Sequence, residues 1–181
     1  MSRRHALAPA LASTLASTLA LLLALFSTAA PAATVCTLVV EAGSGQVIEQ
    51  QGDCQVRNSP ASSFKLALAL MGYDAGVLTG PHAPAWTYQP SYGDGDDPAK
   101  RTVIDPTTWL SASVVWYSQV LVREMGAQRF RAYVDAFGYG NRDLSGKPGA
   151  KSTGALPQAV WVSSSLTISP AEQVAKWSGW S

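Results

Sequence analysis

Pro60-Ala61-Ser62-Ser63-Phe64-Lys65, running into Leu66-Ala67-Leu68-Ala69-Leu70-Met71, is the stretch that decides how this chain is read. Ser59 just before it is a good N-cap, and Pro60 suits the first helical position. The run that follows is helix-forming and apolar nearly all round, so a buried helix is expected, with Gly72 and Gly76 marking its end. Ser62 and Lys65 form the only Ser-x-x-Lys in the chain and share one helix face, a turn apart. Ser62 falls in the first turn, where free backbone N–H groups and the positive dipole end favour a developing oxyanion. Lys65 lies deeper, where desolvation disfavours the ammonium and lowers its pKa. A neutral amine there takes the serine proton, or reacts with carbon dioxide to give a carbamate. The bland alternative is a helix-terminal serine beside a snorkelling lysine.

Composition narrows the classes around that motif. The chain has 181 residues, 47% hydrophobic and 14% charged, which fits one globular domain rather than two. Six Trp, six Tyr and four Phe supply a core and exclude low-complexity disorder. Thirteen basic residues against twelve acidic ones leave no excess for nucleic acid, and the basic residues are scattered.

The first residues read as an export signal. Arg3, Arg4 and His5 are followed by a Leu/Ala-rich apolar run from about Leu15 to Phe26, then by Ala30-Pro31-Ala32-Ala33. Residues 1–33 are therefore expected to be a signal peptide and 34–181 the exported domain. A membrane anchor is the weaker alternative, since the uninterrupted apolar part is short for a bilayer span. Loss of Arg3 and Arg4 with the leader leaves eleven basic against twelve acidic residues. Export implies an oxidising compartment, secreted or periplasmic, in which Cys36 and Cys54 pair. Thr37–Val40 and Gln46–Glu49 read as short strands around a Gly43-Ser44-Gly45 turn, and that hairpin brings the two cysteines together at its open end. A structural staple is preferred over a reactive thiol, for which no activating neighbour is evident.

Downstream, residues 78–101 hold many Pro, Gly and Asp and read as a long loop. Thr107–Ser111 reads as a short helical turn, Ser113–Met125 as a second helix and Ala127–Phe137 as a third, with Gly138 as its stop. Tyr139-Gly140-Asn141 is a turn, and 146–157 is loop-like. Ser169-Pro170-Ala171-Glu172 is a strong helix start, with a cap, a first-position Pro and a Glu three residues after the cap.

Few other routes to chemistry are open. After the leader the chain has one histidine, His82, so a Ser-His-Asp triad would need it as base. There is no Gly-x-Ser-x-Gly elbow, no phosphate loop of the Walker type and no plausible metal cluster.

Four elements occur in order: Pro60–Lys65, Ser113-Val114-Val115-Trp116, Tyr139-Gly140-Asn141, and the run from Trp161 to Val174. Together they closely resemble the class D serine β-lactamases, the oxacillinases, over nearly all of the chain after the leader. The resemblance implies an α/β fold of the α+β type, shared by serine β-lactamases and penicillin-binding transpeptidases. It implies hydrolysis of the β-lactam amide of penicillin-type antibiotics through a serine acyl-enzyme. Ser62 matches the nucleophile. Lys65 matches the lysine that is carboxylated and serves as general base, so carbon dioxide or bicarbonate is required and no other cofactor. Ser113 matches the serine that relays a proton to the leaving nitrogen, and Ser113 is also expected to cap its own helix. Val115 matches the apolar residue shielding the carbamate, and Trp161 the tryptophan whose indole N–H binds it. Tyr139 and Asn141 match a motif that shapes the pocket floor, without a chemical step. An anion in an apolar pocket needs such a donor to persist.

The sequence departs from that family in one region. No Lys-Thr-Gly or Lys-Ser-Gly follows Trp161. Lys151-Ser152-Thr153-Gly154 carries an extra residue and precedes the tryptophan, so it is read as loop. The family's C-terminal sheet strands and last helix are also expected to be missing, so that 34–181 is a partial domain, unstable and catalytically impaired. Two alternatives stay open beside the hydrolase: a penicillin-binding sensor or transpeptidase-like module that is acylated but turns over slowly, and an inert exported fragment. Neither nucleic acid nor a stable membrane anchor is expected as a partner, and oligomeric state and substrate range are not legible.

Overall fold

The N-terminal hairpin forms where the alternating residues and the glycine turn place it. Strands β1 (Cys36–Val40) and β2 (Val47–Gly52) pair antiparallel, Cys36 opposite Gly52 and Leu38 opposite Gln50, with a bulge between Val39 and Val40. The Glu41 carboxylate accepts the Gly43 and Ser44 amides in the turn, which hold it down at about 2, and Gly45 takes a φ of +71°. Cys36 and Cys54 are joined in a disulfide, Cα atoms 5.1 Å apart, at the open end of the hairpin. The computed structural model describes residues 35–92, 97–146, 160–162 and 164–177. The leader reading for 1–33, Lys151–Gly154 and the tail after Trp177 fall outside the described residues.

The Ser62 segment differs from its expected form. Residues Ala61–Ser63 make a 3-10 turn, and α1 (Phe64–Asp74) begins only after it. Ser59 does not cap the helix. Its hydroxyl donates instead to the Trp161 carbonyl at 2.7 Å. Helix α1 buries Phe64, Lys65, Ala67, Leu68, Met71 and Gly72 but leaves Leu66 and Tyr73 exposed, so it is covered on one side rather than all round. Gly72 is no stop either. The helix runs through it to Asp74, and a Cβ there would lie 2.9 Å from the Leu78 side chain, so glycine serves that close approach. The stop is Gly76, at φ +71°.

Residues 78–101 form a long connection, broken by short pieces. Strand β3 (Trp86–Thr87) pairs with β4 (Val103–Ile104), and 3-10 turns cover Pro90–Tyr92 and Pro98–Lys100. Helix α2 (Pro106–Ser111) is capped by Asp105, which accepts the Thr108 amide at 2.7 Å. Helices α3 (Val115–Met125) and α4 (Ala127–Ala136) meet at Gly126, and Gly138 at φ +53° follows α4. Helix α5 (Pro170–Trp177) opens with the anticipated reciprocal cap: the Ser169 amide donates to Glu172 Oε2 at 2.9 Å, and the Glu172 amide donates to Ser169 Oγ at 3.1 Å.

The core between α1, α3 and α4 is rich in aromatic rings. Phe64, Trp109, Trp116, Tyr117, Phe130, Tyr139 and Trp161 are all buried. Trp109 stacks on Tyr117 with centroids 5.3 Å apart, and its indole N–H donates to Ser118 Oγ at 2.8 Å inside the core. A second contact set ties α5 to the N-terminal part of the chain. Asn58 and Ile168 exchange backbone hydrogen bonds at 3.0 and 2.9 Å, and the Ala171 amide donates to the Cys54 carbonyl at 3.1 Å. Arg57 grips Glu172 with both ends of its guanidinium, and that contact holds the Glu172 carboxyl at about 2. The architecture is a mixed α/β one, helices with two small antiparallel sheets, and residues 35–181 form one compact unit. Beyond Trp161 the described residues contain α5 and no strand. No described helix is long and apolar enough to cross a membrane.

Candidate active site

The 3-10 turn leaves Ser62 exposed and sends the next residues into the core. Lys65 is only 4% exposed, although it carries an amine. Its Nζ donates to Ser62 Oγ and to Ser113 Oγ, both at 3.2 Å. Ser113 Oγ in turn donates to Ser62 Oγ at 2.8 Å. Two hydroxyls and one buried amine therefore close a triangle around the Ser62 oxygen.

Ser113 reaches that position through its backbone. Its φ is +54°, a conformation that costs energy for a residue with a side chain. It is therefore outside helix α3 and does not cap it; the residue at the cap is Val114, with no side-chain cap bond. This corrects the expectation of a double role. The turn separates two neighbouring valines by function: Val114 is fully buried in the core, whereas Val115 is half-buried at the first position of α3.

Trp161 connects with the Ser62 turn in two ways. Its carbonyl accepts both the Ser59 hydroxyl at 2.7 Å and the Ala61 amide at 2.9 Å. Its indole stacks on Phe64, centroids 5.3 Å apart and planes 28° apart. Trp161 is 2% exposed, and its Nε1–H has no hydrogen-bond partner among the described residues. An unpaired buried donor is costly in a native core, about 1–3 kcal/mol. It marks a place for an acceptor.

Tyr139 and Asn141 are brought close to this group but are not bonded to its triangle. The Tyr139 ring meets Phe64 edge-on at 5.0 Å. Burial pushes its phenol up to about 12, with the Ser63 hydroxyl acting weakly in the opposite sense. Asn141 holds the segment that follows Trp161: its side chain donates to the Ser165 carbonyl at 2.8 Å and accepts the Thr167 amide at 3.0 Å. Between them Gly140, at φ +52°, lies so near the Thr167 carbonyl that a Cβ would stand 2.0 Å from it. Only glycine fits.

His82 is engaged elsewhere. Its Nδ1 pairs with Asp105 Oδ2 at 2.7 Å at the start of α2, while the partners of Ser62 are Lys65 and Ser113. The Thr108 amide, and then His82, hold the Asp105 carboxyl at about 2. Among the described residues no cluster of three His, Cys, Asp or Glu is arranged to hold a metal ion. Sequence reasoning missed two residues of this region. Ser59 was assigned to a cap, and Ser118, partner of the Trp109 indole, carried no local signal.

Comparison with known proteins agrees with this geometry. Residues 35–178 match the transpeptidase family, described as the penicillin binding protein transpeptidase domain. The chain is 45% identical over 139 residues to β-lactamase OXA-9 of Klebsiella pneumoniae, covering 77% of this chain and 50% of that protein. It is 35% identical over 141 residues to β-lactamase OXA-1 of Escherichia coli, covering 77% of this chain and 49% of that protein. The crystal structure of the OXA-427 class D β-lactamase superposes with a TM-score of 0.72 at 45% identity, covering 80% of this chain and 58% of that one. The chain thus spans about half the length of the curated relatives it matches. The chain is thus similar to class D β-lactamases, and it belongs to the penicillin-binding protein transpeptidase domain family.

Proposed function

We propose that this protein is a class D β-lactamase that opens the lactam amide of penicillin-type antibiotics through an acyl-enzyme on Ser62. The single observation that carries the reading is the triangle of Ser62, the buried Lys65 and Ser113. Ser62 Oγ attacks the lactam carbonyl carbon, and its proton is drawn toward Lys65, 3.2 Å away. The carbon–nitrogen bond of the ring breaks. Ser113, hydrogen-bonded to Ser62 and to Lys65, passes a proton to the departing nitrogen. Water then cleaves the Ser62 ester and restores the hydroxyl.

Lys65 is the residue proposed to be carboxylated: its neutral amine takes up carbon dioxide and loses a proton, and the resulting group supplies a carboxylate base. The residues present fit that group. Burial disfavours the ammonium form of Lys65. Trp161 Nε1 is a donor without an acceptor, stacked on the ring of Phe64, the residue next to Lys65. Val115, half-buried at the start of α3, shields the amine from water. Tyr139 and Asn141 act as scaffold. Export to the periplasm accords with the Cys36–Cys54 disulfide and with an antibiotic as substrate.

The test uses the purified chain with benzylpenicillin and nitrocefin. Mass spectrometry is expected to place the penicilloyl adduct on Ser62, and nitrocefin is expected to turn over more slowly than with a full-length relative. An adduct on another side chain overturns the assignment. A stable Ser62 adduct without turnover makes the chain a penicillin sensor instead.

A further inference from the structure

From the two bonds that converge on one carbonyl, we infer that Ser59 is a positioning residue: its hydroxyl fixes Trp161 so that the indole N–H is presented to Lys65. This inference rests on the reading of Lys65 as a carboxylated lysine.

The Trp161 carbonyl accepts from Ser59 Oγ at 2.7 Å and from the Ala61 amide at 2.9 Å, across 102 and 100 residues of sequence. Pro60 lies between the two donors, is buried, and has no N–H of its own to offer. Ala61 carries a φ of +47°, a strained value for a residue with a Cβ, which persists only where surrounding contacts impose it. The carbonyl of Trp161 is that contact. One oxygen therefore sets the path of the chain through Ser59, Pro60 and Ala61 into the Ser62 turn.

The same contact acts on Trp161 in return. Trp161 and its neighbour Val160 are buried, while Val162 is exposed, so the chain only dips into the core here. Phe64 stacks on the indole and Phe130 meets it at 6.2 Å with planes 61° apart, so the two rings hold the plane of the indole and limit its travel. The carbonyl bonds fix the backbone from which the indole projects. With the Ser59 bond removed, the Ala61 amide still holds the carbonyl, so the fold survives. With one of the two bonds gone, the carbonyl is free to tilt about the Ala61 amide, the indole N–H shifts with it, and the group on Lys65 is held by a less well-placed donor.

The experiment titrates the full chain with ¹³C-bicarbonate and follows the lysine carbamate carbon by NMR, independently of turnover. Ser59→Thr and Ser59→Val are nearly isosteric and differ in the hydroxyl; Ser59→Ala is the smaller control. The bicarbonate concentration for half-carboxylation is expected to rise roughly fivefold in Ser59→Val and Ser59→Ala, the equivalent of one ordinary hydrogen bond, and to stay near the parent value in Ser59→Thr. Equal half-carboxylation in Thr and Val variants overturns the inference and leaves the carboxylated lysine standing. A parent chain with no carbamate signal at saturating bicarbonate overturns both. Should Ser59→Ala fail to fold, the Thr and Val pair decides, with near-ultraviolet circular dichroism confirming that both are native.

Discussion

The Ser113 hydroxyl donates to the Ser62 hydroxyl at 2.8 Å across 51 residues of sequence, from a backbone held at positive φ. The side chain is spent on that contact and not on its own helix. Activity and stability therefore separate at this position. Ser113→Gly removes the hydroxyl and relieves the backbone, because glycine accepts that φ without cost. The variant is expected to lose at least about a hundredfold in kcat/KM for nitrocefin, while its melting temperature holds or rises. Hydrolysis at the parent rate would take Ser113 out of the chemistry.

Trp161→Phe keeps a ring against Phe64 and deletes the unpaired N–H. Smaller volume destabilises and removal of an unsatisfied donor stabilises, so the unfolding free energy is expected to move by less than about 2 kcal/mol. Turnover is expected to fall much further and to recover in part with added bicarbonate. In the parent, acid treatment is expected to abolish activity and bicarbonate near neutrality to restore it. A rate indifferent to bicarbonate in both proteins contradicts the role given to Lys65.

The Glu172 carboxyl is held at about 2, against 4.5 for a free glutamate, first by Arg57 and then by the Ser169 cap. A carboxylate with a lowered folded-state value contributes stability above its unfolded value and loses it as pH falls through the folded one. Acid unfolding is therefore expected to set in below about pH 4.5 and to deepen toward pH 2. Glu172→Gln retains an N-cap partner for Ser169 and removes the titration. Its urea midpoint is expected to be lower than the parent's at pH 6 and to fall less between pH 6 and pH 3. Parallel pH profiles for the two proteins would sink this assignment.

Ser118 and Trp109 form a buried side-chain bond at 2.8 Å inside the aromatic core. Ser118→Ala leaves the Trp109 indole N–H buried and unsatisfied and is expected to cost about 1–3 kcal/mol in urea unfolding, with nitrocefin KM unchanged. An unaltered midpoint would show that the N–H finds another acceptor.

The hairpin and its disulfide, α5 with its reciprocal cap and the Ser62–Lys65 spacing were legible because each is local. Glycines in the turn and Ser169 three residues before Glu172 act within a few residues of their partners, and Cys36 and Cys54, 18 residues apart, are brought together by that one hairpin. The misreadings share one cause. Ser59 has the composition of a cap, but its hydroxyl is claimed by a carbonyl 102 residues away. Gly72 has the composition of a stop, but it serves the close approach of Leu78. Ser113 looks like the start of a helix, and its sign of φ, imposed by tertiary contacts, puts it outside. Local propensity is overridden where a distant group competes for the same atom.

An indole buried against Phe64 with nothing to receive its hydrogen has an outcome that calorimetry reads directly. Any species that fills that place in the native chain and not in the unfolded one shifts the folding equilibrium by mass action. With Lys65 carboxylated as proposed, dissolved CO2 is expected to act as a thermal stabiliser, the protein melting earlier in degassed buffer than under an atmosphere enriched in the gas. Storage and refolding conditions then matter as much for their headspace as for their salt.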